Sequence, residues 1–505
     1  MPQAQKDKKE KAMKKKIHNE ICGELQPAQV LHFFKEICRI PHGSYHVEEI
    51  SNALVRFAGE RKLECIQDAS FNVIIKKKAT EGASSQEPVI LQGHMDMVLE
   101  KEKDCPLDLE QQPVELCCDG EYLYAKGTTL GGDDGIAVAM MMALLDDDSI
   151  PHPPLECVFT VNEEVGLLGA AALETDPLEG RRMINLDSEK EGIFIVGCAG
   201  GAQEDVHLPI KRKKRAGRRM ILTLEGLLGG HSGQCIDMGR ANADLVMGRV
   251  LQTLSERLPF HLISIEGGQK DNAIPRSCTA ELLLDRDVPT AQVEKLIAEQ
   301  MKHIAAEYRM TDPDITWSVE WKGVCAKPVK ALTAKSTKRV ISYLMLVPNG
   351  VLETEQTKTS GIALPRTSLN LGILKTTEHE LYAVHMIRSG INSQRDYVQK
   401  RVKTLAAALK GRAETASSYP AWERAEESLL CDKMVEIYER QTSQKPVVAV
   451  FHCGLECGLF TDKIKGLDGV SIGPDMKDVH TSNERLSLAS TERTWNFLLS
   501  VLQEI

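Results

Sequence analysis

The sequence lacks several features that membrane and disulfide-rich proteins need. Its longest apolar run, Gly135–Leu145, is far shorter than the ~20 residues of a membrane-spanning helix. The 14 cysteines among 505 residues are too sparse for a disulfide scaffold. Cys117–Cys118 and Cys453–Cys457 also lack the paired spacing of a zinc–thiolate site. These absences favour a cytoplasmic protein with reduced thiols.

Aromatic residues are also scarce, at 5%, but the 42% of hydrophobic residues is close to the globular average and argues against global disorder. The net charge of −10 is unevenly distributed. Residues 1–16 carry seven lysines against Asp7 and Glu10, a net +5, so the remaining residues carry −15. An acidic body argues against a nucleic-acid binder, which would present a basic face.

Two basic segments stand apart from this acidic body. Residues 1–17 are expected to form a flexible Lys-rich tail, rather than a contact for nucleic acid or an anionic membrane. No apolar core follows the lysines, so the tail does not have the pattern of a secretory signal. The run Lys211–Arg219 is expected to be an exposed strand edge or turn.

Short apolar runs alternate with helical segments up to about residue 200 and again after Tyr419. This alternation predicts an α/β domain with a mostly parallel sheet and helices on both faces. Residues 201–416 contain better-alternating strands and long charged helices, which predict an inserted α+β domain. The first domain would therefore comprise residues 18–200 and 417–505.

The inserted domain contains a weak internal repeat. Residues 278–304 and 381–407 each contain a strand, an arginine, a short turn and a helix. Duplication and chance similarity of two strand–helix units both explain this pattern.

Polar clusters occur where strands end or a helix begins. The clusters are His94 with Asp96, Asp133 with Asp134, Glu163 with Glu164, Asp187, and His480 after a further strand near Gly473. Ligands of open parallel sheets bind outside the carboxyl ends of the strands. Crowded carboxylates repel each other unless a cation neutralises them. Imidazole and carboxylate donors without thiolate suit zinc or a related divalent ion.

Each cluster alone is a weak signal, because a His-x-Asp pair can lie on the surface and a Glu-Glu pair is usually solvated. Their shared placement after strands predicts a metal site. Composition does not decide which of Glu163 and Glu164 binds metal and which acts as a base.

The motifs around these clusters resemble the aminoacyl-histidine dipeptidases, also called cytosol non-specific dipeptidases or peptidase D, of the di-zinc exopeptidase superfamily. The resemblance runs from about residue 26 to the C-terminus. It rests on GHMDMV (93–98), GTTLGGDDGIAVA (127–139), NEEVGLLGA (162–170), INLDSE (184–189), GCAGG (197–201), GLLGGHSG (226–233), DNAIPR (271–276), TSLNLGI (367–373), MIRSGINS (386–393), HCGLECGLF (452–460) and VSIGPDMKDVH (470–480).

The resemblance implies metal-dependent hydrolysis of dipeptides, including Xaa-His, carnosine-like and broader dipeptides. It implies two divalent ions per subunit, with zinc expected and manganese or cobalt as alternatives. One ion would be held by His94 and Asp187 and the other by Glu164 and His480, with Asp133 bridging the two.

The resemblance also assigns catalytic roles. Glu163 would be the general base for a metal-bridged water, and Asp96 would accept a hydrogen bond from His94 and fix its tautomer. His231, in the motif GGHSG, would stabilise the oxyanion.

Four further residues would recognise the substrate. Arg388 would bind its carboxylate, with Arg276 as an alternative anchor. Asn272 would lie near the scissile group, Glu456 would receive the free amine, and His452 would line the same pocket.

Several expectations remain open at this stage. The inserted domain is expected to be a lid that forms a homodimer, although in some related enzymes a duplicated lid mimics the dimer. His231 could therefore act in its own subunit or in its partner. Asp134 stands where the family usually has Asn, which leaves metal affinity and substrate preference open. A related deacylase or carboxypeptidase, and a catalytically silent binding protein, are the competing hypotheses.

Overall fold

The computed structural model describes residues 25–83, 85–356 and 363–505, so the predicted Lys-rich tail lies outside the described residues. The chain divides into two compact units. The first extends to Gly197 and resumes at Arg424–Val450 and Leu455–Ile505. The second comprises Cys198–Glu423 together with Phe451–Gly454.

The elements of each part are as follows. Before residue 198 the strands are β1 (Glu64–Gln67), β2 (Val73–Lys77), β3 (Val89–His94), β4 (Leu116–Cys118), β5 (Tyr122–Ala125), β6 (Leu155–Thr160), β7 (Arg182–Asn185) and β8 (Ile193–Cys198). The helices of this part are α1 (Ala28–Ile37), α2 (Glu48–Glu60), α3 (Gly132–Asp146) and α4 (Leu168–Ala172).

The second unit contains β9 (Gly200–Pro209), β10 (Arg212–Arg215), β11 (Arg218–Glu225), β12 (Gly230–His231), β13 (Phe260–Gly267), β14 (Ala273–Ile274), β15 (Cys278–Leu284), β16 (Thr316–Val324), β17 (Val329–Leu332), β18 (Gly350–Gln356), β19 (Ala363–Thr376), β20 (Glu380–Ser389) and β21 (Arg412–Tyr419). Its helices are α5 (Ala243–Arg257), α6 (Thr290–Glu307), α7 (Ala334–Leu346) and α8 (Asn392–Ala408). The remaining elements are β22 (Val447–Phe451), β23 (Asp468–Ser471), β24 (Met476–Lys477), β25 (Arg485–Ser487), α9 (Leu429–Thr442), α10 (Cys457–Lys463) and α11 (Leu488–Glu504).

The main sheet of the first unit has the order β1-β2-β6-β3-β7-β23-β8-β22. Its central strands β6, β3, β7 and β23 run parallel, and antiparallel strands flank them. The carboxyl ends of the central strands therefore meet at one edge, as the predicted α/β class requires. A smaller antiparallel sheet, β24-β25-β5-β4, belongs to the same unit.

The complete burial of helix α3 explains the unbroken apolar run Gly135–Leu145. All of its residues from Gly132 to Leu145 are buried, so no polar face is needed and no amphipathic pattern develops. The hydrophobic core of this unit surrounds α3 and the central strands. A separate core fills the second unit. No helix in the described residues is both long enough and apolar enough to span a membrane.

The second unit contains an antiparallel sheet with two halves of the same topology. Its order is β16-β11-β15-β13-β19-β20-β9-β21. Each half is a strand, a helix, two paired strands, a helix and a last strand. One half consists of β11, α5, β13, β15, α6 and β16, and the other of β9, α7, β19, β20, α8 and β21. In sequence, the former is inserted between β9 and α7 of the latter. The halves meet where β13 pairs with β19, at Glu266 opposite Lys375. The weak sequence repeat of β15–α6 and β20–α8 is thus part of a repeated topology.

Candidate active site

The polar residues that follow the central strands come together at one edge of the sheet. His94 ends β3, Glu163 follows β6, and Asp187 follows β7. Asp133 and Asp134 open α3, are joined by a cis peptide bond, and lie outside helical geometry.

The two carboxylate oxygens of Asp133 face two different sets of donors. Oδ1 lies 3.2 Å from His94 Nε2, and this nitrogen lies 3.6 Å from Asp187 Oδ1. Oδ2 lies 3.1 Å from His480 Nε2, and this nitrogen lies 2.7 Å from Glu164 Oε1. The five predicted ligands thus form two imidazole–carboxylate pairs, with Asp133 between them.

The electrostatics of these groups match a site for cations. Burial would lower the pKa of His94, but hydrogen bonds to Asp133 and Asp187 raise it well above its usual value. Burial would also lower the pKa of His480, but Asp133 and Glu164 raise it to about 11. Burial raises the pKa of Asp187 to about 7. Negative charge is therefore concentrated where cations would be stabilised.

Two overlapping groups of donors, which share His94, are close enough together to hold a cation. Donor atoms of His94, Asp133 and Glu164 lie within 4.8 Å of one another, and so do those of His94, Asp134 and Asp187. Imidazole and carboxylate without thiolate suit zinc, manganese or cobalt. A carboxylate with one oxygen towards each imidazole–carboxylate pair is also the geometry that a bridging ligand needs.

The tautomer of His94 is set by Asp96, but mainly through its backbone. His94 Nδ1 is 2.9 Å from the carbonyl oxygen of Asp96 and 3.6 Å from its carboxylate. A protonated Nδ1 leaves Nε2 with a lone pair, as a metal ligand requires. The Asp96 carboxylate instead accepts hydrogen bonds from the backbone N–H of Glu163 at 3.0 Å and the hydroxyl of Ser44 at 2.8 Å. Asp96 thus contacts His94 and also supports the backbone of Glu163.

Glu163 is enclosed among charged groups. Its carboxyl is buried, which raises its pKa well above the usual value, and the negative charges of Asp187 and Glu164 add to the shift. Asp134 is fully buried; its Oδ2 accepts a hydrogen bond from the backbone N–H of His94 at 3.2 Å. Burial first, and then the charge of Asp187, raises the pKa of Asp134 well above its usual value.

Glu456 lies beneath the same edge of the sheet. It is fully buried, and one of its oxygens accepts hydrogen bonds from Gln92 Nε2 at 2.6 Å and from the Thr160 hydroxyl. Asn185 donates to Gln92 and so extends this network to β7. The other oxygen of Glu456 has no hydrogen-bond partner among the described residues.

The second unit brings His231 and Asn272 together. The short ribbon β12–β14 places His231 opposite Ala273, and Ser232 N–H donates to the carbonyl of Asn272. The backbone N–H groups of Gly233 and Gln234 both donate to His231 Nδ1, each at 3.3 Å. Because Nδ1 is an acceptor, a neutral His231 carries its proton on Nε2.

A cluster around Arg388 forms the other predicted group of the second unit. Arg388 is 5% exposed, and its Nη1 donates to the Tyr419 hydroxyl at 3.2 Å. Its Nε has no partner among the described residues. His452 is hydrogen-bonded to Ser368 at 2.8 Å, and burial, together with the charge of Arg388, lowers its pKa to about 4. Arg388 is therefore a buried cation that forms no ion pair with an acidic side chain of the described residues.

The units divide the predicted site residues between them. Glu456 belongs to the first unit, whereas Phe451–Gly454, which includes His452, belongs to the second. Arg276, the alternative anchor, donates to the backbone carbonyl of Leu227. Sequence reasoning did not single out Tyr419 or Glu484. The only signal for Glu484 was its place in the segment after His480.

Comparison with known proteins identifies the family of this chain. The model of peptidase family M20/M25/M40 matches residues 90–504. The cytosol non-specific dipeptidase of Escherichia coli K12 is 34% identical over 484 residues, which is 95% of this chain and 98% of that protein.

Solved structures show the same similarity. The aminoacylhistidine dipeptidase of Vibrio alginolyticus matches with a TM-score of 0.85 at 34% identity, over 95% of this chain and 97% of that one. The aminopeptidase PepT of Bacillus cereus matches with a TM-score of 0.53 at 15% identity, over 95% and 99%. At that identity, the PepT match supports the fold alone.

Proposed function

Because the chain belongs to peptidase family M20/M25/M40 and is a peptide-bond hydrolase, we propose that it is a metal-dependent dipeptidase that cleaves Xaa-His, carnosine-like and broader dipeptides. The observation that carries this proposal is the position of Asp133 between two imidazole–carboxylate pairs. The names of the Escherichia coli and Vibrio relatives support the dipeptide as substrate.

The metal centre follows from the donors already described. His94 and Asp187 would hold one ion, and Glu164 and His480 the other, with Asp133 bridging. We propose zinc, with manganese and cobalt as alternatives. When bound, the two ions would acidify a water and polarise the peptide carbonyl.

The remaining roles belong to side chains of this chain. Glu163 takes the proton of the attacking water and passes it to the leaving amine. Asp96 holds the backbone of Glu163 and the tautomer of His94. His231 donates its Nε2 proton to the developing oxyanion, which its hydrogen-bonded Nδ1 makes possible. Asn272 directly precedes β14, the strand that pairs with β12, and would lie near the scissile group.

Two groups would recognise the ends of the substrate. Arg388 is a buried guanidinium without an acidic partner among the described residues, and a guanidinium matches a carboxylate in geometry and charge. Beside it, His452 would line the pocket. The partnerless oxygen of Glu456 would accept the free amine. Together these contacts would favour dipeptides over longer or blocked peptides.

The experiment that tests the proposed function compares the hydrolysis of free and N-acetylated dipeptides. A panel of Xaa-His and other dipeptides would be assayed with zinc, manganese and cobalt, with and without a chelator. We expect activity that the chelator abolishes, and poor hydrolysis of N-acetylated dipeptides. Preferred hydrolysis of the N-acetylated forms would contradict the proposal and favour a deacylase or carboxypeptidase.

We also propose that the protein is cytoplasmic and that the second unit acts as a lid and dimerises. The proposed catalytic groups are divided between the units, since His231 belongs to the second and Glu163 to the first. Mixing the inactive variants His231→Ala and Glu163→Ala tests the arrangement. Restored activity indicates that His231 acts on the partner subunit, whereas no recovery indicates action within one chain.

A further inference from the structure

Glu484 binds the turn that leads into helix α3. The residue is 3% exposed, and its carboxylate accepts four backbone hydrogen bonds. Oε2 accepts from the N–H groups of Leu130 at 2.7 Å and Gly131 at 3.2 Å. Oε1 accepts from those of Gly132 at 2.8 Å and Asp133 at 3.3 Å. One side chain thus binds four consecutive amides, the last of which belongs to the residue that faces both imidazole–carboxylate pairs.

The turn needs an external acceptor. The first N–H groups of a helix have no partner within the helix, and Gly131, at the N-cap, has no side chain to offer. The start of α3 is buried, so water does not satisfy these groups. The carboxylate of Glu484 supplies these acceptors from more than 350 residues away in sequence.

The space around the turn is shaped to this carboxylate. A Cβ atom at Gly132 would lie 3.2 Å from Glu484 Oε1, so any larger residue would press on the acceptor. The residue at position 131 has φ of +74°, a conformation that glycine adopts at little cost. Both glycines therefore allow the amides to converge on Glu484.

We propose that Glu484 is a positioning residue for the bridging carboxylate, and hence for the two-metal centre. This inference rests on the metal centre proposed above. Glu484 lies four residues after His480, so one loop supplies a metal ligand and also holds the turn that carries Asp133. A carboxylate suits this task because both of its oxygens accept hydrogen bonds, whereas an amide would direct N–H donors at two of the four backbone N–H groups.

The test is the substitution Glu484→Gln in the full chain, with zinc as the probe. Zinc affinity would be measured by competition with a chelator, and amide hydrogen exchange of residues 130–133 would be measured in parallel. We expect zinc affinity to fall by about 10- to 100-fold, as for other residues that orient metal ligands, and exchange in the turn to accelerate. Glu484→Asp keeps the charge and should retain more zinc affinity than Glu484→Gln.

Glu156 provides a matched control. It is 2% exposed and accepts backbone hydrogen bonds from Glu179 and Gly180, but it lies at the amino-terminal end of β6. Glu156 also pairs with Lys76 Nζ at 3.0 Å, so Glu156→Gln weakens an ion pair as well as buried backbone contacts. Because these contacts lie away from the proposed metal ligands, we expect lower stability with unchanged zinc affinity.

Three outcomes would overturn the inference. If the wild-type chain binds zinc and Glu484→Gln binds it equally tightly, Glu484 does not position the metal centre. The proposed metal centre itself would not be affected by that result. An equal loss of affinity in Glu156→Gln would show that the effect is general destabilisation. A wild-type chain that binds none of zinc, manganese and cobalt would overturn the metal centre as well. If Glu484→Gln does not fold, the zinc affinities of Glu484→Asp and Glu156→Gln are compared instead.

Discussion

Replacing Arg388 with methionine should separate recognition of the substrate carboxylate from the chemistry. The guanidinium is 5% exposed and bonded to a phenol, and no acidic side chain of the described residues forms an ion pair with it. Removing one partner of a buried, hydrogen-bonded charge pair costs about 2–5 kcal/mol. Since each 1.36 kcal/mol is tenfold, we expect kcat/KM for a dipeptide to fall between about 30-fold and about 5,000-fold.

The assay compares a dipeptide with its C-terminal amide. The amide lacks the carboxylate, so wild type and Arg388→Met should hydrolyse it with similar kcat/KM. Arg395→Met is a suitable control, because Arg395 already pairs with Asp396 and donates to the backbone carbonyl of Tyr419. An equal loss for dipeptide and amide in Arg388→Met would refute the carboxylate role, because it would show that Arg388 supports the fold or the chemistry instead.

Three other predictions test different parts of the molecule. Glu163→Ala should keep both metals in elemental analysis but lose kcat by orders of magnitude, whereas Asp133→Ala should lose metal; near-normal kcat in Glu163→Ala would exclude it as the base. Tyr419→Phe removes the hydroxyl that binds Arg388 and should raise KM more than it lowers kcat; a fall in kcat alone would contradict this. Burial raises the pKa of Asp244 to about 8, so the folded protein favours the protonated carboxyl. The free energy of unfolding should therefore fall as the pH rises from about 4 to about 8, by at most about 1.4 kcal/mol per pH unit. The urea midpoint of Asp244→Asn should therefore exceed that of wild type increasingly between pH 5 and pH 8, and a constant difference would refute this.

Sequence patterns predicted most of the elements that position the site. The apolar run Gly135–Leu145 lies in helix α3, and one of the short apolar runs before residue 200 is β6 at Leu155–Thr160. The α/β class is confirmed. These elements are predictable because their burial is nearly complete or strictly periodic, so side-chain hydrophobicity follows the backbone directly.

Other features depend on pairing between distant segments, which one sequence does not reveal. The small sheet β24-β25-β5-β4 joins residues 116–125 with residues 476–487, and its strands are too short to show a period. The segment Phe451–Gly454 belongs to the second unit although its neighbours on both sides belong to the first. No composition change marks this crossing, because such divisions arise from contacts rather than from local propensity.

At the site itself, the sequence could identify residues but not atoms. Asp96 is predicted to accept a hydrogen bond from His94; the closest acceptor is its backbone carbonyl, and its carboxylate, 3.6 Å from the same nitrogen, also binds the backbone of Glu163. The choice between these atoms is a matter of tenths of an ångström. It depends on where β3 ends relative to β6, and residue types alone do not determine this.

The acidic excess of the site has a second explanation besides metal binding. Asp96 holds the backbone N–H of Glu163, Asp134 holds that of His94, and Glu484 does the same for the turn into α3. These three carboxylates thus bind the main chain of a proposed ligand or base from another segment. Backbone N–H dipoles offset part of the cost of burying these charges. We infer that in the pair Asp133–Asp134 one residue serves the proposed metal centre and the other holds the backbone of the ligand His94.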